Sequence, residues 1–195
     1  MSRKFSITVA AIVLLVGLAG SVLAQKAKPI ETFRAFAVNQ TGGTRANSGV
    51  IQISIDRWST DAEREALITT LKEKGSTALL DALTKLPPLG FIKMPNTLGW
   101  SLYYARQSEL PDGGRRVVLA TNRKLGFGES AKQSRSVKYD FTLVEMRFDK
   151  SGKGEGKLAA AAKVEFDRKN QQIEIENYGA MPVTLVNVTA EQPKP

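Results

Sequence analysis

The chain contains no cysteine and no histidine among its 195 residues. Without cysteine it forms no disulfide, offers no thiolate nucleophile and carries no lipoprotein acylation site. Without histidine, triads built on an imidazole base, the common zinc sites and a histidine pH switch lose their central residue. The phosphate-binding pattern Gly-x4-Gly-Lys-Ser/Thr is missing too. The glycine-rich stretch Thr41 to Gly49 lacks the lysine and the helix start that such a loop needs.

The one long apolar run opens the chain. Arg3 and Lys4 precede an uncharged stretch from Ile7 to Leu23, and Val22-Leu23-Ala24 leads into Gln25. This is the pattern of a secretory signal peptide, with cleavage expected between Ala24 and Gln25. The expected organisation is a signal peptide over 1–24, a flexible lead over 25–31, a single β-rich domain over 32–190 and a polar tail over 191–195. Cleavage would leave no stable membrane span, and the expected destination is the periplasm or the medium. A domain of this length buries enough surface to fold without covalent staples.

Lysine and arginine outnumber aspartate and glutamate by 28 to 19, for a formal charge of +9. That balance favours acidic partners. For an exported chain the expectation is an anionic envelope component rather than nucleic acid. The basic excess is densest in the irregular stretch 122–136, read as a long loop. Arg123, Lys124, Lys132 and Arg135 are the candidate residues for an anionic partner there.

Periodicity sets the fold class. Phe33, Ala35 and Ala37, and then Ile51, Ile53 and Ile55, alternate with more polar neighbours, as half-buried strands do. Thr60-Asp61-Ala62-Glu63 is a capping box opening a helix whose inner stripe is read as Ala62, Ala66, Leu67, Ile68 and Leu71. Gly75 ends this helix, and a second runs from Ser76 with Leu79, Leu80, Leu83 and Leu86 inward, until Pro87-Pro88 stops it. The pair forms a helical insertion over 60–86. Its second helix has almost no base-reading side chains, against a helix-turn-helix reader.

Strands resume at Phe91. Leu98–Gln107 is read as one strand, with Trp100, Leu102 and Tyr104 on one face. It pairs with Arg115–Thr121 across Pro111-Asp112-Gly113-Gly114. Val117 to Ala120 is continuously apolar, as in a strand covered on both faces. Tyr139 to Tyr178 forms a three-stranded meander in which Leu158, Ala160, Ala162, Val164 and Phe166 share one parity. In its first strand the apolar parity changes, through either a bulge near Leu143-Val144 or burial on both sides. A last strand spans Val183–Thr189. The expected fold is α+β: a mainly antiparallel sheet of about eight strands, curled into a sandwich or partly closed barrel, with an inserted helical pair.

Chemistry-bearing candidates are few. Asp149 to Glu155 has the look of a calcium loop, but Lys153 and Ala160 stand where oxygen ligands belong, and no metal or other cofactor is expected. Glu174 and Glu176 are the acids a carboxylate-dependent hydrolase would use, although cross-strand charge pairing explains them more simply. The protein is therefore expected not to be an enzyme. Phe91, Trp100 and Tyr104 are the candidate ligand-binding residues, for a small apolar or sugar ligand at the mouth of the curled sheet.

The segments Arg57-Trp58-Ser59-Thr60-Asp61-Ala62-Glu63, Leu98-Gly99-Trp100, Leu110 to Arg116 and Glu174 to Gly179 resemble a group of small secreted bacterial proteins to which no activity is assigned. That resemblance implies export and carries over no site. The leading expectation is an exported, non-catalytic binding protein. The alternatives are an envelope interaction protein held to anionic partners by its basic loop and, more remotely, a hydrolase.

Overall fold

A computed structural model describes residues 28–39, 48–94, 98–123, 141–177 and 181–191. The signal segment with Ala24 and Gln25 lies outside the described residues, as do Lys124, Lys132 and Arg135 of the basic stretch. The elements are β1 (Glu31–Val38), β2 (Ser48–Ile55), α1 (Asp61–Lys85), β3 (Gly90–Lys93), β4 (Trp100–Leu102), β5 (Tyr104–Glu109), β6 (Arg115–Thr121), β7 (Phe141–Phe148), β8 (Gly154–Asp167), β9 (Gln172–Asn177) and β10 (Val183–Glu191). All pairings are antiparallel, in the order β4-β3-β2-β1-β10-β8-β7-β6-β5, with β9 on β8. This is the α+β, β-rich architecture that the periodicity predicts. Among the described residues no helix is long and apolar enough to cross a membrane.

The two ends of that order are consecutive in the chain, separated only by Tyr103. The stretch expected as a single strand over Leu98–Gln107 is broken there: β4 pairs with β3, and β5 pairs with β6. The Leu89 N–H donates to the Leu102 carbonyl at 2.7 Å, and the Tyr103 N–H donates to the Ala120 carbonyl at 3.0 Å. One run of backbone thus bonds both flanks of the sheet and brings it close to a closed barrel. Beyond β4, on the edge of β5 that does not pair with β6, Ser59 takes over. Its Oγ accepts from the Ala105 N–H at 3.0 Å, and its own N–H donates to the Ala105 carbonyl at 2.7 Å. The chain entering the helix therefore completes the seam.

The interior is filled by the alternating residues of β1 and β2, by Leu102, Ala105, Val117 and Leu119, and by Val144, Met146 and Phe148. One end is occupied by Arg115. Its guanidinium grips the buried Glu31 carboxylate at 2.8 and 3.1 Å and lies 5.7 and 4.9 Å from the Phe33 and Phe148 ring centres. Charge, hydrogen bonds and ring faces together satisfy a cation that isolated burial would penalise heavily.

Bulges decide which side chains share a face. In β10 the register slips between Leu185 and Val188, with Asn187 at a left-handed φ of 52°, and this returns Val188 to the interior. Between β7 and β8 the register slips where Phe141 to Leu143 opposes Ala159 to Ala162, so the extra residue is in β8. The bulge expected at Leu143-Val144 is not found: β7 alternates without a break and is covered on both faces. Leu158 and Ala160 consequently point into the barrel, whereas Ala162 and Val164 belong to a second cluster with the helix. The equal-parity set Leu158 to Phe166 is therefore not one face, because the extra residue inverts the alternation midway. Thr142 Oγ1, 2.8 Å from the Ala160 carbonyl, bonds at this irregularity.

The helix starts as expected. Thr60 Oγ1 accepts from the Glu63 N–H at 3.1 Å, and the Glu63 carboxylate accepts from the Thr60 N–H at 2.8 Å. Gly75, at φ 81°, breaks it into the two predicted halves. The inner stripe differs from expectation: Ala62 and Ala66 are exposed, and Arg64, Leu67, Ile68 and Leu71 turn toward the sheet. Their spacing of three, four and seven is one helical face.

Two tests follow from this geometry. Gly90 has a φ of 155°, and a Cβ there would lie 2.0 Å from the Ser54 carbonyl oxygen. Gly90→Ala should destabilise the protein by about 3 kcal/mol or more, read by chemical denaturation; a change under about 1 kcal/mol would show that the seam yields freely. Glu63 is held at a pKa of about 2, chiefly by its two hydrogen bonds from Arg57 and further by the Thr60 N–H, against some opposing desolvation. Its folded pKa lies below the ordinary 4.5, so its contribution is present above that value and is lost as pH falls toward 2. The stability gap between wild type and Glu63→Ala, about 1 kcal/mol at pH 7, should close over that interval; a gap constant with pH would contradict the assignment.

Candidate functional site

The second apolar cluster lies outside the barrel, where α1 crosses the outer face of β6, β7 and β8. The helix does not seal that face. A groove of about 640 Å³ remains between α1 and β5 to β9, within the roughly 300–1,000 Å³ typical of small-molecule sites.

Strand register lays out its floor in rows. Tyr104, Ala120, Leu143 and Ala159 stand side by side across β5, β6, β7 and β8. The next row is Arg106, Val118, Glu145 and Lys157, and beyond it Arg116 is set against Ser108 and Arg147. On the other side of the Tyr104 row lie Phe141 and Val164. The floor is thus apolar at one end and charged at the other. The helix follows the same gradient. Leu79 and Leu83 lie among the apolar cluster, and Thr84 accepts a hydrogen bond from Asn122 just past the end of β6. At the charged end, Asp61 in the first turn pairs with Arg106, and Arg64 faces the groove. Exposed Ile173 and Ile175 on β9 add an apolar side wall.

Electrostatics at the charged end are one-sided. Arg64, Arg106, Arg116 and Lys157 line the groove, with Glu145 as the only lining carboxylate among the described residues. Burial disfavours the charge on Glu145, but hydrogen bonds from Arg116 at 2.9 Å and Arg147 at 2.7 Å outweigh it and lower its pKa. Glu145 is therefore anionic and already shared between two guanidinium groups. The Arg116 Nε is buried without a hydrogen-bond partner. Burial raises the Tyr104 phenol above its ordinary value of 10.0, while Arg64, Arg106 and Arg116 pull the other way. Tyr104 is thus a neutral hydroxyl at physiological pH, set among three guanidinium groups.

Of the predicted ligand residues, only Tyr104 lies in this groove. Trp100 packs against the barrel interior, whereas Phe91, next to the buried Ile92, points from β3 to the opposite side of the sheet. The break at Tyr103 separates Trp100 from Tyr104: alternation would have put them together, but the displaced register turns Tyr104 outward with Tyr103. The three aromatics are not brought together, and the groove is on the barrel's flank rather than at its mouth. Arg123 follows the end of β6, its N–H donating to Thr121 Oγ1 at 3.2 Å; its basic companions lie outside the described residues. Glu174 and Glu176 lie on the face of β9 away from the groove, opposite Glu165 and Lys163 respectively. A Lys163–Glu165 ion pair at 2.7 Å makes this a charged ladder. Among the described residues no group of three or more acids is placed to hold a metal.

Residues that sequence reasoning missed, Arg64, Arg106, Arg116 and Lys157, had one local signal. Arg64 heads the Leu67-Ile68-Leu71 stripe at helical spacing. The other three are unremarkable strand residues until register aligns them. Comparison with protein-family models, with curated proteins and with solved structures gives no match.

Proposed function

We propose that the protein is an exported, non-catalytic binding protein for a small apolar ligand, and that the ligand lies in the groove between α1 and the outer face of β5 to β9. The observation that carries this is the groove itself, about 640 Å³ and floored by Ala120, Leu143, Ala159, Phe141 and Val164. Such a floor favours alkyl groups over a sugar, whose hydroxyls would find few partners along it. The helix stands over the groove through a leucine stripe rather than a sealed interface, which leaves room for an inserted chain. Export rests on Arg3, Lys4 and the apolar run to Leu23 ahead of Gln25.

Displacement of a fluorescent alkyl probe by straight-chain alcohols tests the binding reading. Each methylene buried adds about 0.8 kcal/mol, or roughly fourfold in affinity, so affinity should climb with chain length and level off once the groove is filled. Ala159→Trp should abolish binding while leaving the barrel folded, because Ala159 points outward. Failure of every alcohol to compete, or indifference to Ala159→Trp, would overturn the reading. Export is tested separately. Intact-mass measurement of the chain recovered from an exporting bacterial host should give an N-terminus at Gln25, and retention of Met1 would count against it.

A further inference from the structure

We infer that the ligand of this groove is a single-chain amphiphile with an anionic head, its tail under Leu79 and Leu83 and its head among Arg64, Arg106, Arg116 and Lys157. This rests on the groove being the ligand site and adds the ligand's class and direction.

Three observations converge on it. The first is the order of the rows. From the Phe141 and Val164 end, through Tyr104-Ala120-Leu143-Ala159, to Arg106-Val118-Glu145-Lys157, the floor changes from apolar to charged in one direction. A molecule that is apolar throughout would leave its last segment against charged groups it cannot pair, and one that is polar throughout would strip hydration along the leucines. An amphiphile matches both ends. The second is the sign of the charge. Four cations line the groove against Glu145, which is itself divided between Arg116 and Arg147. The other acids holding these arginines, Asp61 on Arg106 and Glu65 on Arg64, have largely exposed side chains. An incoming anion can displace them at little cost, since exposed pairs contribute little. The third is donor chemistry at the charged end. The Nε of Arg116 makes no hydrogen bond, and the Tyr104 hydroxyl, already hydrogen-bonded with Arg64, also lies in the field of Arg106 and Arg116. Guanidinium donors near a phenol O–H form a natural cradle for carboxylate or phosphate oxygens.

The shared chemistry is the anionic head; a fatty acid would supply it as a carboxylate and a monoacyl phosphate as a phosphate. The test compares dodecanoate, dodecyl phosphate, 1-dodecanol and dodecyltrimethylammonium by probe displacement on the wild-type chain. At least one of the two anions should bind about tenfold or more tighter than dodecanol, and dodecyltrimethylammonium should bind weakest. The preference should fall as salt is raised from about 0.01 to 1 M, because screening reaches the partly exposed guanidinium groups. In Arg64→Gln/Arg116→Gln it should shrink below about threefold with dodecanol binding retained, while Arg64→Lys/Arg116→Lys should keep most of it. Whichever anion binds tighter identifies the head as carboxylate or phosphate. Equal binding of dodecanol and both anions, with no salt dependence, would overturn this inference and leave the apolar-ligand reading standing. Absence of binding by all four would overturn both.

Discussion

Closure of the sheet depends on one break in one strand. At Tyr103 the backbone passes from bonding β3 to bonding β6, and the two flanks of a ten-stranded sheet are joined through consecutive residues. A curled sheet left open would expose the backbone groups of β3 and β6 as edges, and edges invite pairing with other chains. Here Ser59 covers the remaining gap with two hydrogen bonds to Ala105. The position of the helix follows, because its N-cap Thr60 comes next. Arg57 and Glu63, joined at 2.8 and 2.9 Å, secure that entry. The barrel and the groove therefore share an origin: the segment that completes the seam also launches α1 across the outer face.

The outer face becomes apolar for a second reason, the irregularity in β8. One long strand serves two environments. Its first half pairs with β7 and β10 and fills the barrel with Leu158 and Ala160. Its second half pairs with β9, and Ala162 and Val164 turn toward the helix. A regular strand of the same sequence would have placed all four on one side, leaving α1 little to pack on. The remaining opposing terms are met locally. Arg115 at the barrel end is matched by Glu31 and by two ring faces, and Gly90 allows β3 to approach Ser54 more closely than any side chain would permit.

Much of the fold was legible because alternation and helix signals are local. The strands β1, β2, β6 and β7, the capping box at Thr60 and the stop at Gly75 each reside within a few neighbouring residues. The double-sided coverage of Val117 to Ala120 was legible for the same reason: Val117 and Leu119 face the barrel, and Val118 and Ala120 the groove. The candidate site was legible only in Tyr104. Unbroken alternation places Trp100 on the same face as Tyr104, and a single irregular residue reverses that; Phe91 is on β3 and faces the other side of the sheet. The helix stripe was misjudged at Ala62 and Ala66, which are small enough to sit on either side; the seam orients the helix so that Arg64 takes the inward place.

The sequence by itself determined the β-rich class, the turns, the helix and its break, and the exclusion of cysteine and histidine chemistry, because each is set by residue type or by spacing along a few residues. Tertiary structure decided which ends of the sheet meet, which half of β8 faces the helix, and that Arg64, Arg106, Arg116 and Lys157 border one groove. Those residues come from one helix and three strands, and they are brought together by register. Register is a property of pairing between distant segments, and one inserted residue changes it for every side chain that follows.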